Sequence, residues 1–138
     1  MLKYMLDTNI VIYTMKNRPE RVRGAFKKHE GQMCISSISL GELVYGAEKS
    51  TEPEQNLADI ESMISRLEVK PFDSHAAIHF GQIRAALTKL GRTIGPCDAM
   101  IAGHARAHEQ RTTIHERSTL LRDLDVSPEC SYSNYINV

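Results

Sequence analysis

The stretch Tyr4-Met5-Leu6-Asp7-Thr8-Asn9-Ile10-Val11-Ile12 decides how the rest of the chain is read. Tyr4 to Leu6 have the apolar, β-prone composition of a short buried strand. The run ends at an acid, a hydroxyl and an amide, and apolar residues then resume at helical spacing through Ile10, Val11 and Tyr13. A carboxylate at the end of a buried strand is costly unless something pairs with it. Two partners are available. The free N–H groups of the helix start would make Asp7 or Thr8 a cap, and a bound cation would make Asp7 a ligand. Both readings stay open on this stretch alone, so the next question is whether other acids occur in similar settings.

The bulk numbers narrow the class. A chain of 138 residues with 41% hydrophobic content is expected to be one globular domain, residues 1–138, with a core of its own. Seventeen basic residues balance seventeen acidic ones, which excludes a protein that grips nucleic acid by bulk positive charge and leaves only local patches. Cys34, Cys97 and Cys130 are odd in number and lack CxxC spacing, so a reducing compartment is expected rather than a disulfide framework. Neither a signal peptide nor an apolar run approaching the ~18 residues of a membrane span is visible, and the expected location is cytoplasmic.

Further along, Asn17-Arg18-Pro19-Glu20 reads as a helix start, and Met33-Cys34-Ile35 as a second strand. Ser39 and Glu42 match a capping box, which would occupy the Glu42 carboxylate with backbone. Thr51-Glu52-Pro53-Glu54 repeats the helix-start chemistry, with Thr51 as cap and a first-turn proline. Leu57, Ile60, Ile64 and Leu67 follow on one helical face. Glu68 to Phe72 is β-compatible before a turn at Asp73-Ser74. Ala76, Phe80, Ile83, Leu87 and Leu90 make the next helical stripe, closed by Gly91. Pro96-Cys97-Asp98 opens another helix, where capping is the plain reading of Asp98. Gln110 to Ile114 offers a last short strand, and Leu120, Leu121 and Leu124 a last helical turn or two. The pairs His75/His79 and His104/His108 have helical spacing but no third ligand at a recognisable interval, so no zinc site is expected.

This alternation of strands and helices predicts an α/β domain with a small parallel sheet. In such sheets, function gathers at the carboxyl ends of the strands. Asp7 follows one strand directly, Glu42 follows another by a turn, and Asp98 opens a helix able to return to the same edge. If the three acids converge, their mutual repulsion requires a cation, and an all-carboxylate set selects Mg²⁺ or Mn²⁺ over zinc. Such a site hydrolyses phosphodiesters without a covalent nucleophile. No G-x-S-x-G elbow competes with it.

Four segments together carry a family resemblance. They are Met5-Leu6-Asp7-Thr8-Asn9, Ser36-Ser37-Ile38-Ser39-Leu40-Gly41-Glu42-Leu43-Val44-Tyr45-Gly46-Ala47, Gly81-Gln82-Ile83-Arg84-Ala85 and Ile94-Gly95-Pro96-Cys97-Asp98-Ala99-Met100-Ile101-Ala102-Gly103-His104-Ala105. Over roughly the first four-fifths of the chain these resemble the PIN-domain ribonuclease toxins called VapC, those of enteric bacteria above all. The resemblance implies a three-layer α/β/α domain with a small parallel sheet. It implies an endoribonuclease dependent on Mg²⁺ or Mn²⁺ and acting on structured RNA, often tRNA. Asp7, Glu42 and Asp98 match the family's metal-binding acids. Asn9 matches a polar residue that orients them, Ser39 a similar support, and Arg84 a basic position with a positioning or packing role. A VapB-like antitoxin and a homodimer are implied too, and an antitoxin arginine reaching into an acidic cleft would replace the cation's charge. Lys49, Lys89 and Arg92 are the candidates to hold RNA, each of which also reads as a solvated surface charge.

The carboxyl end departs from the family's pattern of apolar strand, Thr-Asn-Asn or Thr-Asn-Asp turn, and Arg-Glu-Phe-like helix start. Here the chain reads Thr112-Thr113-Ile114-His115-Glu116-Arg117-Ser118, and Glu116 is the candidate for a fourth acid. The alternative from another class is therefore a catalytically impaired PIN-like module that binds RNA or protein.

Overall fold

The computed structural model describes residues 2, 4–15, 27–92, 94–108 and 111–112. Among the described residues four strands form one sheet: β1 (Tyr4–Leu6), β2 (Met33–Ser36), β3 (Glu68–Lys70) and β4 (Arg111–Thr112). Every pairing is parallel and the spatial order is β3-β2-β1-β4, with Met5 opposite both Cys34 and Thr112. Five described helices connect them: α1 (Thr8–Met15), α2 (Ser37–Glu48), α3 (Pro53–Ile64), α4 (Ser74–Lys89) and α5 (Pro96–Ala107).

Strand periodicity divides the core in two. Leu6, Met33 and Ile35 point to one face and bury Ile10, Val11, Leu43, Ala47, Ile60 and Met63 from α1, α2 and α3. Met5 and Cys34, one residue out of step, point to the other and bury Ile83, Leu87, Ile101, Ala102 and Ala105 from α4 and α5. That is the expected three-layer α/β/α arrangement. Both faces are covered by helices, which is why the strands read as unbroken apolar runs.

Chain order places the functional edge. From β1 the chain moves outward to β2 and β3, then crosses over to pair β4 with the opposite side of β1. Strand order therefore reverses at β1, and the carboxyl end of a strand at such a reversal is where open α/β sheets bind ligands. Asp7 is the first residue past that end.

The helix starts correct two expectations. α2 begins at Ser37, and its cap is Ser36, whose Oγ accepts from the Ile38 N–H at 3.1 Å. Ser39 thus lies inside the helix, and the Ser39–Glu42 capping box does not form, because a serine nearer the strand end takes the cap first. α3 has Glu52, not Thr51, at the cap position with no side-chain cap bond, and Pro53 in the first turn. Asp73 does cap α4, its Oδ1 accepting from the Ala76 N–H at 2.9 Å. β3 stops at Lys70, short of the expected Phe72, because Pro71 has no N–H to continue the ladder. Gly91 ends α4 with φ +66°, a left-handed turn that lets the Arg92 N–H reach the Leu87 carbonyl at 3.0 Å. The helix start at Asn17 and the last turns around Leu120, Leu121 and Leu124 lie outside the described residues. No described helix is long and apolar enough to cross a membrane.

Candidate active site

Asp7 is buried, with 6% of its surface exposed. Its Oδ1 accepts from the Ile10 N–H at 3.0 Å, and its carbonyl accepts from the Val11 N–H at 3.3 Å. Asp7 therefore closes the first turn of α1, where its charge faces the positive end of the helix. The capping reading of the opening stretch is correct, and it leaves the carboxylate at the strand-order reversal.

The next residue carries the connection onward. Thr8 Oγ1 donates to Glu42 Oε1 at 2.6 Å, joining the start of α1 to the second turn of α2. Glu42 is half-buried and takes this hydroxyl rather than the Ser39 backbone. From the other side the Cys97 thiol lies beside Glu42, and burial together with the neighbouring Glu42 and Asp98 charges pushes that thiol up from its ordinary range. Asp98 follows in the first turn of α5. The helix cap there is Gly95, without a side-chain bond, so Asp98 is not the cap its position suggested. Its Oδ2 lies 3.8 Å from where a Cβ on Gly95 would stand, folding back over the helix start. Asp7, Glu42 and Asp98 are thus linked through Thr8 and Cys97 into one neighbourhood. Among the described residues no three His, Cys, Asp or Glu side chains are drawn together closely enough to cage an ion. The donors are carboxylate oxygens and a hydroxyl, which suit a hard divalent ion, and the protonated thiol beside them is a poor competitor for it.

The other expected residues lie variously around this group. Asn9 is exposed on the first turn of α1 and holds none of the acids among the described residues; the tie expected of it is made by Thr8. Ser39 is fully buried and its Oγ has no partner among the described residues. Arg84 is exposed on α4, so the packing role expected of it is not seen. Lys49 is exposed at the end of α2 with its Nζ 4.9 Å from the Tyr45 ring centre, and Tyr45 is itself 67% exposed. Lys89 and Arg92 are exposed where α4 turns towards the start of α5. Glu116 lies outside the described residues.

Two polar links on the α4–α5 face went unread in the sequence. His104, fully buried on α5, places Nδ1 2.8 Å from Ser36 Oγ, while its Nε2 has no partner among the described residues. Burial pushes its pKa down to about 4, with His108 and Lys70 adding to the shift and Asp73 opposing it. Arg106 donates from Nε to His79 Nδ1 at 2.8 Å and bonds Gln82 as well, pinning α5 to α4. Helical spacing brought each histidine pair into ring contact, His75 with His79 and His104 with His108. Only the fold could show that their ring nitrogens serve as partners between elements.

A PIN-domain family model matches residues 4–116. A tRNA(fMet)-specific endonuclease VapC from Shigella flexneri is 60% identical over 107 residues, covering 78% of this chain and 81% of that protein. The chain belongs to the VapC family of PIN domains. Among solved structures, the DNA-bound VapBC of Salmonella typhimurium superposes with a TM-score of 0.84 at 51% identity, over 94% of this chain and 98% of that one. VapBC2 of Rickettsia felis, bound to a DNA fragment from its promoter, gives a TM-score of 0.85 at 32% identity, over 93% and 98%. The PIN-domain match ends at Glu116, within the stretch whose sequence departs from the family pattern.

Proposed function

We propose that this chain is a single PIN domain working as the endoribonuclease toxin of a VapBC-type pair, cutting structured RNA with the help of Mg²⁺ or Mn²⁺. Transfer RNA is the substrate class favoured by the relatives, since two enteric VapC proteins 60% and 61% identical to this chain are tRNA(fMet)-specific endonucleases. The observation that carries the reading is the connection of Asp7, Glu42 and Asp98 through Thr8 and Cys97 at the strand-order reversal.

Asp7, Glu42 and Asp98 would hold the cation. When bound, it supplies a water acidified to near-neutral pKa and neutralises charge on the phosphoryl group. The chain's own contribution is orientation. Asp7 is fixed by its bond to the Ile10 N–H, and Glu42 by Thr8, so the oxygens are placed before substrate arrives. Lys49, Lys89 and Arg92 would contact RNA phosphates around this group, as local charges on a chain with no net positive charge. A VapB-like antitoxin would cover the acids, a homodimer would be the toxin's own assembly, and the site of action would be the cytoplasm.

The test is cleavage of a tRNA pool in titrations of Mg²⁺ and Mn²⁺, by the chain and by Asp7→Asn. The expected outcome is metal-dependent cleavage that falls by about 100-fold or more in the variant. Cleavage that proceeds equally in chelator, or survives in Asp7→Asn, would refute the proposal. RNA binding without cleavage in either metal would favour the impaired-module alternative.

A further inference from the structure

Thr8 stands between two acids without being one. Its hydroxyl reaches across 34 residues of sequence to Glu42 Oε1, at a length of 2.6 Å. This is the short end of the O–H···O range, as expected when the acceptor is charged. Two plainer explanations of the residue fail. Thr8 is not the cap of α1, because the Asp7 side chain already serves the first turn. It is not needed as packing volume either, since a half-buried threonine can be matched in shape by valine. What the hydroxyl alone does is fix a carboxylate. Glu42 sits on a flexible side chain in the second turn of α2, and without a tether its oxygens are free to sweep through several rotamers. The Cys97 thiol neighbours the same carboxylate from the α5 side. Thr8 thereby ties Glu42 to the wall that carries Asp7, with Cys97 and Asp98 alongside.

We infer that Thr8 is a positioning residue of the nuclease: its hydroxyl holds one Glu42 oxygen so that the carboxylate meets a divalent cation already oriented beside Asp7. The inference rests on reading Asp7, Glu42 and Asp98 as the cation's ligands. Groups that orient a metal's ligands typically control affinity by 10–100-fold, and that is the scale expected here.

The experiment measures Mn²⁺ binding to the full chain by calorimetry, with no RNA present, for wild type, Thr8→Val, Thr8→Ala, Thr8→Ser, Glu42→Gln and Asp7→Asn. Thermal unfolding of each protein is followed alongside. Thr8→Val and Thr8→Ala are expected to weaken Mn²⁺ binding about 10–100-fold while unfolding near the wild-type temperature. Thr8→Ser, which keeps the hydroxyl, is expected to restore affinity. In the cleavage assay the same pair should need correspondingly more Mn²⁺ for half-maximal rate. If either hydroxyl-free variant folds and binds Mn²⁺ like wild type, while Glu42→Gln and Asp7→Asn lose binding, the role of Thr8 is refuted and the nuclease reading survives. If Glu42→Gln and Asp7→Asn themselves bind Mn²⁺ as wild type does, the ligand assignment falls, and the inference with it.

Discussion

Replacing Gly103 by alanine tests the α4–α5 packing that carries Asp98 into place. A Cβ at Gly103 would lie 2.5 Å from the Phe80 backbone nitrogen, 2.6 Å from its Cα and 3.0 Å from its Cβ. Ordinary carbon contacts begin near 3.5 Å, so α5 has to retreat by about 1 Å. The atoms met first are main chain, which cannot rotate aside. Overpacking of this kind costs about 1–3 kcal/mol, and a backbone obstacle puts Gly103→Ala at the upper end. Alanine's better helix propensity returns about 1 kcal/mol. The net loss is about 2 kcal/mol, which for a domain of this size lowers the melting temperature by about 8 °C. Circular dichroism melts and urea titrations measure it directly. Gly41→Ala on α2 and Gly81→Ala on α4 are the controls: both glycines are helical, with nothing within 4 Å of an added Cβ. Each control should hold or gain about 0.5–1 kcal/mol. A Gly103→Ala protein melting at or above the wild-type temperature would refute the packing argument.

Acid titration should expose His104. Its folded pKa of about 4 lies below the ordinary 6.5, so the unfolded chain takes up the proton first. Stability is therefore full above pH 6.5 and declines as pH falls towards 4, by up to roughly 3 kcal/mol. Denaturant titrations at stepped pH should show this slope in wild type and a flatter one in His104→Gln; parallel slopes would discount it. Ser36→Ala removes both the α2 cap and the partner of His104, and a loss of about 1–2 kcal/mol is expected in urea. The double variant Lys89→Ala/Arg92→Ala should raise KM for tRNA with kcat kept, and its cleavage should depend less steeply on salt; unchanged KM would remove these residues from the RNA path.

Strands and core were legible because burial on both faces leaves unbroken apolar runs, as in Met5-Leu6 and Met33-Cys34-Ile35. The acids were legible as acids at strand and helix ends. Their connections were not, since a bond such as Thr8 to Glu42 spans 34 residues and has no periodicity to betray it. Local rules misled where two candidates competed for one job. Ser36 and Ser39 both precede a helical run, and only the point where β2 stops decides which serine caps. The close approach of Phe80 to Gly103 leaves no mark in the sequence and shows only in the fold. Asn9 and Thr8 are neighbours of equal chemical plausibility, and only the fold shows that Thr8 reaches Glu42 while Asn9 is exposed. Family resemblance supplied the roles of the acids, which no spacing argument could reach.

The cap that Asp7 provides, beside the ligand role proposed for it, has a practical corollary for anyone wanting a harmless version of this toxin. Alanine there would strip away both the negative charge and the oxygen that receives the Ile10 N–H, so lost activity could simply mean a frayed helix. Asparagine keeps a carbonyl oxygen in the same place and caps about as well as aspartate. An amide-substituted protein is thus the disarmed form to co-express, crystallise or feed RNA: its silence would report on chemistry, with the architecture left standing.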